Sequence, residues 1–189
     1  ACVRGRVGAK QGYGSHGEAG GRAMGDSRAV RKDGVLQQVG TPRELYEAPT
    51  NVFVAGFIGS PAMNLFTADV VDGGIKFGTS VAKVERDILL KATGSKVTIG
   101  VRPEDVKIAK SGDGLKVEVD VVEEPGADGY LYGHTEVDGK RVDIVARVDG
   151  RTHPNAGDTV VITPVAEHVH AFDATTGERM SKPIVLDKV

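Results

Sequence analysis

The 189-residue chain has one cysteine, Cys2, so it can form no internal disulfide, and a reducing compartment is expected. It has no tryptophan, and aromatic residues make up only 5%, which leaves few rings for stacking nucleic-acid bases. Neither sign of charge dominates. Lys plus Arg number 24 against 26 Asp plus Glu, for a net charge of -2, and this excludes the basic excess of a general nucleic-acid binder. Long apolar runs are missing too. The most apolar stretch, residues 52–58, falls far short of the ~20 residues that cross a bilayer. No secretory apolar segment opens the chain, so a soluble, cytosolic protein is expected. The first residue is Ala1 rather than Met, and a fragment or a processed product is expected.

The phosphate-gripping motif GxxxxGK[ST] is lacking as well. The Gly-Lys pair, Gly139-Lys140, is followed by Arg141 and lies in a turn. ATP hydrolysis by this chain alone would lack the lysine and the metal-binding hydroxyl it needs. Gly12-Tyr13-Gly14-Ser15-His16-Gly17 fits GxGxxG in form, but no apolar strand precedes it and no helix follows, so it reads as a product of glycine density. Cys2 has no supporting base in its sequence context and is not read as a nucleophile.

What is present divides the chain into three parts. Residues 1–30 hold eight of the 26 glycines and no Leu, Ile or Phe; with nothing to bury they are expected to be disordered. Residues 31–61 read as a strand and two short helices. Asp33-Gly34 makes a turn before Val35-Leu36-Gln37-Gln38-Val39. Thr41, Pro42 and Glu44 form an N-cap, a first-turn proline and a capping box. Asn51 caps the next helix, Phe53 and Phe57 stack at i, i+4, and Gly59 and Pro61 end it. This second helix is apolar nearly all round and is expected to be buried. Residues 62–189 read mainly as strands. Val117, Val119 and Val121 are expected to face one core, and Asp138-Gly139 is a hairpin signal between residues 134–137 and 141–145. Short strands at this spacing predict a small barrel or sandwich. His168 and His170 are expected on one polar strand face, a pairing that could also suggest metal ligands. Glu123 and Glu124 point to opposite faces and mark a strand end rather than an acid–base pair.

The run from Lys32 to Asn64, including Thr41-Pro42-Arg43-Glu44-Leu45-Tyr46 and Phe53-Val54-Ala55-Gly56-Phe57-Ile58-Gly59-Ser60-Pro61-Ala62-Met63-Asn64, closely resembles the ATP-binding subunit of ABC-type sugar importers of the maltose, trehalose and glycerol-phosphate type. Gly100-Val101-Arg102-Pro103-Glu104 resembles that family's GxRPE segment, residues 122–128 its strand-to-turn element, and residues 172–179 its closing FDxxTGxR. The resemblance covers residues 24–189. It implies a mainly β fold: an OB-like, transport-associated barrel at 62–189, preceded at 31–61 by the strand and two helices that end an ABC ATPase domain. It also implies a truncated subunit that retains the regulatory and dimerisation domain and couples to the transport complex. The partners implied are a second copy or an intact ATPase subunit, and the membrane permease subunits, with no nucleic acid. The implied place is cytoplasmic, peripheral to the inner face of the cell membrane.

ATP and Mg belong to the intact family, and no cofactor is expected on this chain. His16 falls at the switch-histidine position, but residues 17–23 replace the family's acidic-apolar helix, so the start reads as a degraded copy and no catalytic residue is assigned. The candidate interface or regulatory residues are Arg102, Glu104, Gly126, Asp128, Phe172, Asp173 and Gly177. Arg102 and Glu104 are expected to form a fixed pair or to face a partner, Phe172 to be core, and Asp173 with Gly177 to shape the closing turn. Three other readings stand beside this one: the ATP-hydrolysing, energy-coupling component of sugar import, an OB-fold nucleic-acid-binding module, and a non-functional gene remnant.

Overall fold

The computed structural model describes residues 27–124 and 126–182. The expected loose start, with Cys2 and His16, lies outside them except at its end. There the boundary at residue 30 shifts, because Arg28–Lys32 form strand β1, with Val30 buried. β1 pairs antiparallel with β2 (Val35–Gly40) across the Asp33-Gly34 turn, where both residues take positive φ. Pairing supplies the backbone partners that sequence composition alone could not reveal.

Helices α1 (Pro42–Glu47) and α2 (Val52–Phe57) follow. The capping box forms as the sequence predicts: the Glu44 amide donates to Thr41 Oγ1 at 3.2 Å and the Thr41 amide donates to Glu44 Oε2 at 2.8 Å. Asn51 Oδ1 accepts from the Val54 amide, and the Phe53 and Phe57 rings stack with centroids 5.9 Å apart. Full burial of α2 does not hold. Val54 and Ala55 are buried, but Gly56 and Phe57 are exposed, because the helix is covered on one side only.

The structure as a whole is mainly β, with strand at 52% and helix at 14%, and it has a sheet curled into a half-barrel that fits an OB fold. One sheet contains β3 (Asn64–Val71), β4 (Gly74–Phe77), β5 (Ser80–Lys83), β6 (Lys96–Val101) and β12 (His170–Asp173), in the order β12-β6-β3-β4-β5. A one-turn helix, α3 (Arg86–Leu89), links β5 to β6. The other sheet contains β7 (Val106–Ala109), β8 (Leu115–Glu123), β9 (Asp128–Val137), β10 (Lys140–Asp149) and β11 (Thr159–Pro164), in the order β10-β9-β8-β11-β7. All pairings are antiparallel. The predicted hairpin is β9–β10, with Asp138 at φ 50° and Gly139 at φ 74° in its turn.

One apolar core lies between the two sheets. Phe66, Ile75, Phe77, Val97 and Ile99 come from the first, and Val117, Val119, Leu131, Ile144 and Ile162 from the second. Each such side chain contributes about 1.5–3 kcal/mol on burial. Val121 departs from the expected alternation and is 48% exposed. A bulge between Val119 and Val121 inserts one residue opposite Gly133–Tyr132 and reverses the inward face, so Val122 packs against the core instead.

Asn64 joins the sheets. Its Nδ2 donates to the Val145 carbonyl and its Oδ1 accepts from the Val145 amide, both at 2.8 Å. One side-chain amide thus does for the β10 edge what a neighbouring strand would do. Asn64→Leu should lower unfolding free energy in urea by about 1–3 kcal/mol, since both Val145 groups lose their partner. A loss within error would show that water replaces the amide.

Candidate functional site

The residues singled out from sequence divide into a buried set and an exposed set. Arg102 directly follows β6 and is 1% exposed. It does not pair with Glu104. Its Nη1 donates to the Ile58 carbonyl and its Nη2 to the Tyr46 carbonyl, each at 2.9 Å, and its guanidinium lies 3.7 Å from the Tyr46 ring centroid. The expected Arg102–Glu104 pair fails because the Pro103–Asp105 helical turn leaves Glu104 on the outside while β6 carries Arg102 under the helix pair.

Phe172 is fully buried, as expected of core, and packs with Ala55 and Met63. Asp173 shapes the closing turn, accepting from the amides of Thr175 (2.8 Å), Thr176 (2.9 Å) and Thr93 (3.2 Å). The Thr176 and Thr175 amides lead in holding its carboxyl down to about 2. Gly177 has φ 75°, and a Cβ there would meet Val52 Cγ2 at 2.9 Å, so the turn needs glycine for both conformation and space.

His168 and His170 do not share a polar face. His168 sits in the short helical turn before β12, with Nδ1 2.7 Å from Asp105. His170 turns inward, 1% exposed and stacked on Phe172. Burial, then the positive charges of Arg179 and Arg102 and the neighbouring His168, push its pKa down to about 3. The neutral ring accepts at Nδ1 from Arg179 Nη1 at 2.9 Å. Arg179 also donates to the Ser181 and Lys182 carbonyls, and burial lowers its own pKa to about 10. Sequence reading missed this pair. The only signal was a histidine and an arginine flanking the closing turn.

Glu104, Gly126 and Asp128 are exposed. Arg147 on β10 bonds Asp128 at 2.9 Å, and its charge also acts on Glu104. These groups therefore share one end of the second sheet. An open cleft of about 870 Å³ adjoins them, lined by Ile108, Lys110, Arg147, Arg151, His153 and Asn155 among others.

The described residues do not fit ATP and magnesium. Gly139-Lys140 sits in a tight turn between antiparallel strands, with no helix N-terminus to receive a phosphate. Among the described residues no group of three or more His, Cys, Asp or Glu side chains is placed to hold a metal ion. Among them, too, no helix is long and apolar enough to cross a membrane.

The MalK OB fold domain family matches residues 59–106, and the TOBE domain family matches residues 99–172. Together the two matches run from residue 59 to residue 172. Its relatives are ATP-binding subunits of sugar-importing ABC systems, and it matches their C-terminal part. The diacetylchitobiose uptake system ATP-binding protein MsiK of Streptomyces coelicolor is 46% identical over 96% of this chain and 53% of its own length. The sn-glycerol-3-phosphate import ATP-binding protein UgpC of Paracoccus denitrificans is 38% identical over 89% of this chain and 46% of its own. The oligosaccharides import ATP-binding protein MsmX of Bacillus subtilis is 35% identical over 89% and 48%. The chain thus spans about half the length of the curated relatives it matches.

Two predictions follow from the buried set. The folded protein keeps His170 neutral where the unfolded chain protonates it, so its stabilisation is complete above pH 6.5 and falls as pH drops toward 3. The limiting slope is about 1.4 kcal/mol per pH unit. Urea melts at several pH values should show that share of the acid loss missing in His170→Asn. Separately, Gly177→Val should lower the melting temperature by several degrees, the ~1–3 kcal/mol scale of a strained backbone plus a steric clash.

Proposed function

We propose that the chain serves as the regulatory and dimerisation module of an ATP-binding subunit of a carbohydrate ABC importer. It couples to the transport complex without turning over ATP itself. The carrying observation is the 46% identity to an uptake-system ATP-binding protein across 96% of this chain, in a β framework that offers no nucleotide site among its described residues. Its partners are a second copy or an intact ATPase subunit, and through that subunit the permease. It works in the cytoplasm, peripheral to the inner face of the membrane. Glu104, Gly126 and Asp128, exposed at one end of the second sheet, are placed to meet a partner. Arg102, Phe172, Asp173 and Gly177 hold the helix pair and the closing turn in shape.

Sedimentation of the purified chain, alone and with the ATP-binding subunit of a sugar importer, should show a self-associated species or a mixed complex. A monomer that ignores the importer subunit would refute the reading. Glu104→Lys with Asp128→Lys should weaken that association about tenfold or more while the melting temperature stays within a few degrees. Magnesium-dependent phosphate release should remain at the buffer background. Turnover above it would restore the energy-coupling reading.

A further inference from the structure

In sequence, Gly59-Ser60-Pro61 looks like a linker, a glycine and a proline between a helical part and a β part. Three sets of contacts cross that junction. Arg102, just after β6, ties down the C-terminal ends of both helices through the Tyr46 and Ile58 carbonyls. Gly59 is folded over the same guanidinium, at φ 116° and so close that a Cβ would lie 2.9 Å from Arg102 Nη1. The closing turn makes the second set: the Val52 amide donates to the Gly177 carbonyl and the Arg179 amide to the Thr50 carbonyl, each at 2.9 Å, with a bridge between Asn51 and Glu178. The third is apolar, with Val52 and Ala55 of α2 packed on Met63, Leu65 and Phe172.

The hairpin is carried along. Gln38 Nε2 donates to the Ala48 carbonyl, its Oε1 accepts from the Thr50 amide, and Gln37 Oε1 accepts from Asn51 Nδ2. Hydrogen bonds therefore run unbroken from β2 through the turn between the helices to the closing turn.

We propose that residues 28–58 and 59–182 turn as one body, and that the Gly59-Ser60-Pro61 junction is a locked seam rather than a swivel, with Arg102 and Arg179 as its two positioning residues. A buried guanidinium that leaves its carbonyls must take both its own charge and the carbonyls back to water, and this sets the seam apart from an ordinary surface contact. The claim does not depend on what docks to the barrel.

Spin labels on Arg43→Cys (α1) and Lys116→Cys (β8), in a Cys2→Ser chain, test it by pulsed dipolar distance measurement. One narrow distance is expected. A broad or two-peaked distribution would overturn the seam whatever the chain binds. Hydrogen exchange tests the two arginines. In Arg102→Lys and in Arg179→Ala, the Val52 and Ile58 amides should exchange about tenfold or more faster, while those of β8 and β9 keep their protection. Unchanged exchange at Val52 and Ile58 in both variants would overturn their role. If one variant fails to fold, the other variant and the label distance still decide.

Discussion

A guanidinium without water needs acceptors, and Arg102 finds its two in the carbonyls of Tyr46 and Ile58, one from the end of each short helix. Helices of six residues are too short to hold themselves together in water. Their last carbonyls need partners, and the arginine supplies them from a strand of the barrel. The Tyr46 ring beneath the cation adds a face that tolerates positive charge. The arrangement gives the buried charge two acceptors and gives each helix end a donor, and it sets where the helix pair sits. Arg179 repeats the solution across the closing turn, with a neutral histidine and the carbonyls of Pro49, Ser181 and Lys182 as acceptors.

The two sheets face a related problem at their edges. Antiparallel meanders leave an unpaired strand at each side, and β10 is the longest of these. Asn64 meets it with a side-chain amide, and the Lys96 ammonium joins Asp69 on β3 to Asp138 in the β9–β10 turn. These are polar links around an apolar core, so they determine how the sheets sit on each other more than how strongly they adhere. The surface that remains is charged and only lightly paired, with Glu104, Asp128 and Arg147 together at one end.

Where a feature depends on neighbours three or four residues away, it could be read directly from the chain. The Thr41–Glu44 capping box, the Asn51 cap, the Phe53–Phe57 stack and the Asp138-Gly139 hairpin all form as their spacing demands. The alternating strands were legible for the same reason, and the long stretch from Lys32 to Asn64 carried the resemblance. The candidate site was legible only in part. Phe172, Asp173 and Gly177 lie within one local turn and were readable together. The partners of Arg102, by contrast, lie 44 and 56 residues away in the chain.

By itself, then, the sequence determined the mainly β character, the caps and turns, and the kinship with importer subunits, because these rest on short-range stereochemistry and on residue identity. Only the tertiary structure decided that Arg102 abandons Glu104 for helix carbonyls, that His170 turns inward, and that Val121 turns out behind a bulge. In each case the choice between water and protein rested on which distant element covered the residue, and no local pattern encodes that.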